Sequence, residues 1–289
     1  MNKLRTKNII GWLSLMISLG FFFLQIGYLV ISRKHQVEYV DDRLFYLINI
    51  ICFIFLFLAL LLLIKPTKKL KLVGASILFI FIVGQIYMLI SSNQIVKNTV
   101  SVSPDWKHVL SIKENMENGD VAYYRDYYRI LARPKEVLPH EIKGELKIEW
   151  LADDVAAVTF ETEDNTIQQF VATYGYRGDG LSYYEVGSVI HGKWQGENIE
   201  LITGTEGLTV TEKGIQKLFE WDEIEQFGTL AIVLNKNNEA VWTVALNDNF
   251  EVPSDYSLPT EGNITLYKAT MEDNEPIILD YGGNPELVQ

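Results

Sequence analysis

The chain has 289 residues, room for one large or two ordinary domains, and its net charge of −12 is unevenly spread. Residues 1–97 carry eleven Lys and Arg against three acids, a net of +8, which leaves 14 basic and 34 acidic residues, a net of −20, for the remainder. So acidic a surface repels phosphate backbones and anionic lipid headgroups, which excludes nucleic-acid partners, and the single cysteine, Cys52, excludes a disulfide framework in the acidic part.

In chain order, three apolar runs come first, at 9–31, 44–64 and 72–90, none with a charged side chain. About 20 helical residues cross a hydrocarbon core of about 30 Å, so each run predicts a transmembrane helix. The first is longer than the apolar part of a signal peptide and no small-residue cleavage pattern follows it, which predicts a retained anchor. Lys3, Arg5, Lys7 and the four lysines of KPTKKLK (65–71) outnumber Arg33, Lys34, Arg43 and Lys97 at the opposite helix ends. Cytoplasmic loops retain Lys and Arg, so the expected topology is a multi-pass cell-membrane protein with a cytoplasmic N-terminus and residues 98–289 outside. A disulfide-free exported domain fits a bacterial envelope. Gln25, Asn49, Gln85, Ser14 and Ser18 are the notable polar residues in the runs; none is ionisable, which points to helix packing rather than an ion path.

From residue 98 the pattern changes to short alternating segments, among them HVLSIKE (108–114), VAAVTFET (155–162), TIQQFVATY (166–174), TLAIVLN (229–235) and AVWTVAL (240–246). Turns rich in Gly, Asn and Asp separate them, so a mostly all-β domain is expected, with a helix only around EWDEIEQF (220–227). Trp106, Trp150, Trp194 and Trp242 recur at intervals of 44, 44 and 48 residues, the repeat length of propeller blades. SPDWK (103–107) also resembles the Ser-Pro-Asp-Gly-Lys turn of TolB-type propellers. The resemblance implies a small propeller-like or antiparallel meander domain; a two-layer β-sandwich is the alternative. GLTVTEKGIQKLFEWDEIEQFG (207–228) resembles a stretch of bacterial pleckstrin-homology-like domains, without their basic lipid-binding loop.

The four histidines, His35, His108, His140 and His191, stand at no metal-ligand spacing, and no serine sits in a Gly-x-Ser-x-Gly elbow. The acid clusters Asp153-Asp154, Glu161-Glu163-Asp164 and Asp222-Glu223-Glu225 lack the oxygen spacing of a calcium loop, so no metal and no cofactor are expected. YYRDYYR (123–129) is the most unusual stretch. As a strand it would place Tyr123, Arg125, Tyr127 and Arg129 on one face, a ladder suited to a protein partner or a glycan, or to cross-strand cation–π packing. YRGDGLSYYE (176–185) reads as a hairpin connection with Gly178 and Gly180 in its turn, and Arg177, Tyr183 and Tyr184 as its candidate ligand contacts.

These features predict a membrane-anchored extracytoplasmic binding or sensing module of the cell envelope without catalytic activity of its own. Its partners would be the lipid bilayer and an envelope protein or glycan. Two alternatives stand beside it: an envelope-polymer hydrolase using a carboxylate pair, and an accessory subunit docking on a transporter or sensor kinase. A protease added to intact cells is expected to remove residues 98–289; full protection of that segment reverses the topology.

Overall fold

The computed structural model describes residues 2–178, 183–252 and 261–283. Three long helices come first, α1 (Asn2–His35), α2 (Arg43–Leu63) and α3 (Lys68–Ile95), each long and apolar enough to cross a membrane. Basic residues Arg33, Lys34 and His35 close α1, where they meet the negative end of its dipole, and the Thr67 hydroxyl accepts from the Leu70 N–H at the start of α3. Ser14 Oγ donates within its own helix, to the Ile10 carbonyl at 2.8 Å, while Ser18, Gln25, Asn49 and Gln85 join the helices to one another. Gln25 Nε2 donates to Asn49 Oδ1 (2.9 Å) and to the Phe45 carbonyl (2.8 Å), and Asn49 Nδ2 donates to Gln85 Oε1 (3.2 Å). Ser18 Oγ donates to the Cys52 carbonyl at 3.0 Å. Amides and hydroxyls surrounded by apolar side chains need such partners, and here they find them across helices. Outside those contacts the helices present large apolar side chains to their surroundings: Trp12, Met16, Phe23, Phe79 and Ile80 are exposed.

The chain divides into two compact units, one of residues 1–100 and 111–137, the other of residues 101–110 and 138–289. In the first unit the helices are joined by β1 (Glu38–Tyr39), β4 (Val121–Tyr127) and β5 (Leu131–Val137) and by most of β2 (Val96–Val102) and β3 (Val109–Asn115). These strands form a sheet in the order β1-β5-β4-β3-β2. The connection between α1 and α2 is thereby built into the sheet: Tyr39 pairs with Leu131 and Glu38 with Ala132. Lys113, only 5% exposed, reaches from β3 to Glu38 (2.7 Å) and Asp42 (2.6 Å), and Ser111 Oγ donates to the Val40 carbonyl at 2.6 Å. The Lys113 ammonium also lies 4.7 Å from the centre of the Tyr124 ring. Burial pushes the Tyr124 phenol up to about 12, with Glu38 and Asp42 adding to the shift, so it stays protonated across the neutral range.

The second unit is nearly all β. A three-stranded antiparallel sheet runs β6 (Ile142–Ala152), β7 (Val155–Thr162), β8 (Ile167–Thr173). The short helix α4 (Val186–Val189) follows. Nine further strands come next: β9 (Lys193–Gln195), β10 (Ile199–Thr203), β11 (Gly207–Glu212), β12 (Ile215–Glu220), β13 (Ile224–Phe227), β14 (Ala231–Lys236), β15 (Glu239–Leu246), β16 (Asn263–Lys268) and β17 (Ile277–Gly283). They form one sheet in the order β12-β11-β10-β9-β17-β16-β15-β14-β13, which curls into a nearly closed barrel. Its two edge strands, β12 and β13, are consecutive in sequence and separated only by a 3₁₀ turn, Trp221–Glu223. Gly207 opens β11 at φ +152°, where a Cβ would collide with the Phe219 carbonyl of β12.

Among the described residues the sheets have nine, five and three strands, which replaces the four-stranded blades expected from the tryptophan interval. Trp194 and Trp242 fill the barrel, Trp150 lies in β6 and Trp106 in a turn at φ +63°. The barrel interior holds Ile199, Leu201, Leu208, Phe219, Leu234, Val244 and Leu266, with Val186 and Val189 of α4 among them. Alternate residues of the same strands, Ala231, Val233, Ala245 and Tyr267, face the other way and pack with Leu151, Val155, Ala157 and Val171 of the three-stranded sheet. Two-layer packing is thus confined to that patch. The expected helix at 220–227 is a 3₁₀ turn followed by a strand. Leu266→Ala, in a fully buried position, is expected to lower stability by about 2–5 kcal/mol, read from the urea midpoint of the detergent-solubilised chain.

Candidate functional site

Closing the sheet brings together residues far apart in sequence. Along the seam, Lys236 Nζ on β14 donates to the Leu218 carbonyl of β12 (3.3 Å) and to Glu223 Oε2 (2.6 Å). The 3₁₀ turn is held by a reciprocal cap: the Glu220 side chain accepts from the Glu223 N–H, and Glu223 Oε2 accepts from the Glu220 N–H at 3.0 Å. Beside it, β14 and β15 join through Asn237 and Asn238 at φ 54° and 65°, with Lys236 paired to Glu239. That is the two-residue hairpin geometry in which both central residues are left-handed, and asparagine tolerates it best after glycine. Gln168 Nε2 of β8 donates to the Asn238 carbonyl at 2.7 Å and fixes the turn.

These elements enclose an open cleft of about 690 Å³. Asp222, Glu223 and Glu225 supply carboxylates, Gln168, Asn235, Asn237 and Asn238 supply amides, and His140 and Lys236 complete the polar wall. A second cavity of about 230 Å³ meets the first at Ile224 and offers the indole of Trp221 with Gly187 and Gln226. The Lys236 hydrogen bond holds the Glu223 carboxyl below its ordinary range, and the Glu220 N–H adds to the effect. Among the lining residues three carboxylates stand against one lysine, so the cleft is suited to a cationic, hydrogen-bonding ligand. Among the described residues no group of three or more His, Cys, Asp or Glu is arranged to hold a metal ion.

The structure distributes the residues expected from YYRDYYR and YRGDGLSYYE. Strand β4 ends at Tyr127, and its pairing with β5 shifts register between Tyr123 and Tyr124. The residue skipped is Lys135 of β5, so alternation along β4 is kept; Tyr123 is buried, at 4% exposure, while Arg125 and Tyr127 farther along the strand are exposed. Arg129 leaves the strand and sits in the hairpin loop at φ 65°. The four-residue ladder is therefore reduced to Arg125 and Tyr127, joined by Arg133, whose guanidinium lies 5.3 Å from the Tyr127 ring centre.

Arg177, 8% exposed, is turned inward. Its Nη1 and Nη2 each donate to a carboxylate oxygen of Asp154 at 2.6 Å, Nε donates to the Asn247 carbonyl at 2.7 Å, and Nη2 also reaches Asp248 at 3.0 Å. Burial works against its charge, but the Asp154 hydrogen bonds outweigh it and the guanidinium is held up, firmly charged. A fork bound on this many sides is committed to the fold and not to a ligand. Tyr184 Oη accepts from the Arg177 N–H at 3.1 Å, and Tyr183, exposed, donates its hydroxyl to the Gly228 carbonyl at 3.1 Å. Gly180 and Asp179 lie outside the described residues.

Sequence reasoning singled out Asp222, Glu223 and Glu225 as an acid cluster but missed Gln168, His140 and the asparagine turn. The asparagine-rich segment 235–239 is one of the turns legible between strands; nothing local placed it beside the acids. Comparison with protein-family models, with curated proteins and with solved structures finds no match to the chain.

Glu223 makes the seam pH-dependent. Its folded pKa is depressed, so the stabilisation is complete above the ordinary glutamate value of 4.5 and is lost as pH falls through the lowered folded value. Urea midpoints compared at about pH 6 and about pH 3 are expected to fall less for Glu223→Gln than for the unaltered chain. An identical fall in both would show that the seam pair is not linked to folding.

Proposed function

We propose that this protein is a membrane-anchored binding or sensing module of the cell envelope, with its N-terminus in the cytoplasm and its β domain outside. The three apolar helices support the anchoring, and the distribution of Lys and Arg around them supports the orientation. The observation that carries the binding role is the cleft at the barrel seam, where Asp222 and Glu225 line an amide-rich concavity beside Trp221. Side chains fill the barrel itself, so ligand recognition falls to this rim. The ligand that fits is cationic and rich in hydrogen-bonding groups, such as an amine-bearing peptide or an amino-substituted envelope polymer.

Hydrolysis by a carboxylate pair in the same cleft has less support, because Glu223 is already held by Lys236 and by the cap of its own turn. Titration of the full chain in nanodiscs with tetralysine is expected to show binding that weakens as salt rises and is lost in the double variant Asp222→Asn, Glu225→Gln. No binding, or binding indifferent to both substitutions, overturns the assignment.

A further inference from the structure

The smaller cavity at the seam, about 230 Å³, is walled by Glu185, Gly187, Trp221, Ile224, Gln226 and Ile232. Most of its polar atoms are already engaged within the fold. Gln226 Oε1 accepts from the Val186 N–H at 3.1 Å, and Gln226 Nε2 donates to the Gly228 carbonyl at 2.8 Å. The Trp221 indole N–H donates to the Thr205 carbonyl at 3.0 Å. The amide and the indole therefore offer the cavity mainly carbon surface, to which Ile224 and Ile232 add. Glu185 is the exception. It is exposed, caps no N–H of α4, and its carboxylate has no hydrogen bond or ion pair among the described residues.

The indole is fixed as well as accessible. Trp221 is 42% exposed, yet its six-membered ring lies against Gly187, where an added Cβ would come within 2.7 Å of Cζ3. Any side chain at position 187 would push the ring from this place. A held aromatic ring and an unpaired carboxylate on one cavity both favour a positive charge, the ring through its quadrupole and the carboxylate through its own charge.

Apolar walls with one anionic group fit a ligand that is itself divided, an aliphatic stem ending in a cation. An amino sugar does not match: its ammonium stands on a ring covered with hydroxyls, and the cavity has few free polar atoms to receive them. We propose that the cavity takes the side chain of a lysine from a peptide ligand, with its methylenes against Trp221, Ile224 and Ile232 and its ammonium at Glu185. This deepens the reading of the seam cleft as a site for cationic ligands and rests on it. Asp222, Glu223 and Glu225 attract the peptide's charge, and the cavity selects the length of its side chain.

The test uses the full chain in nanodiscs at about pH 6, where lysine-type amines are protonated. Two peptides are titrated: tetralysine, and the tetrapeptide of the lysine homologue whose side chain is two methylenes shorter, so that charge is equal and only stem length differs. The unaltered chain is expected to bind tetralysine about tenfold more tightly than the shorter homologue. Glu185→Gln is expected to weaken tetralysine about threefold. Trp221→Ser is expected to bring the two peptides within about twofold of each other. Equal affinity for both peptides in the unaltered chain overturns the lysine pocket, with no variant's folding in question. Tetralysine affinity unchanged by Glu185→Gln overturns the ammonium contact, and a length preference that survives Trp221→Ser overturns the contact of the stem with the indole. Where any of these comes with binding still lost in Asp222→Asn, Glu225→Gln, the seam reading stands; no tetralysine binding at all overturns both.

Discussion

Strands β14, β15 and β16 are buried on both faces, and the second unit is organised around that constraint. Their inward residues, Ile232, Leu234, Trp242, Val244, Ile264 and Leu266, fill the barrel. Their outward residues are smaller, Ala231, Val233 and Ala245 with Tyr267 as the exception, and they receive the three-stranded sheet. A slip of one residue would exchange the two sets, forcing tryptophan and isoleucine into a contact shaped for alanine. Amide and hydroxyl groups there are paired, Thr243 Oγ1 donating to Gln169 Oε1 and Gln169 Nε2 to Thr159 Oγ1 at 2.7 Å, whereas the buried Tyr267 hydroxyl has no hydrogen-bond partner among the described residues. Register, barrel filling and sheet-on-sheet packing are thus one requirement met three times.

A filled barrel moves chemistry to its rim. The sheet does not close by continuous pairing, since β12 and β13 are its two edges, and a side chain, Lys236, reaches from β14 to β12 instead. The acids of that turn would repel one another without it, so the group that seals the seam also sets the charge balance of the cleft. Arg177 plays the comparable role at the β6–β7 turn, binding Asp154 and the chain just after β15. Both cations are structural, and Asp222, Glu223 and Glu225 together give the cleft its sign.

In the first unit the connection between α1 and α2 is the hub. Six residues, Val37–Asp42, supply a strand to the sheet, two carboxylates to Lys113 and a buried tyrosine, Tyr39, whose hydroxyl donates to Gln25 Oε1 at 3.0 Å. Gln25 in turn engages Asn49, and Asn49 engages Gln85. One hydrogen-bonded chain therefore runs from the strand through all three helices. Removing Lys113 would take away the cation that Glu38 and Asp42 share.

The helices and the β character of the remainder were legible because both follow from local periodicity: an uncharged apolar run of about 20 residues and a period-two alternation have few competing solutions. The amide residues of the helices and the glycine and asparagine turns were legible for the same reason. The tryptophan interval was read as blades because spacing carries no information about which strands become neighbours. Arg177 looked available within Arg-Gly-Asp because its partner, Asp154, lies 23 residues earlier in the chain. The Tyr/Arg ladder is shortened because Tyr123 is buried and β4 ends at Tyr127, neither of which a local pattern announces, and the cleft needed the sheet to curl until Gln168, Asp222 and Asn237 met. Local sequence determined which segments are helix, strand or turn. Only the tertiary structure decided which polar groups are consumed by the fold and which remain on its surface, because that depends on contacts between segments far apart in the chain.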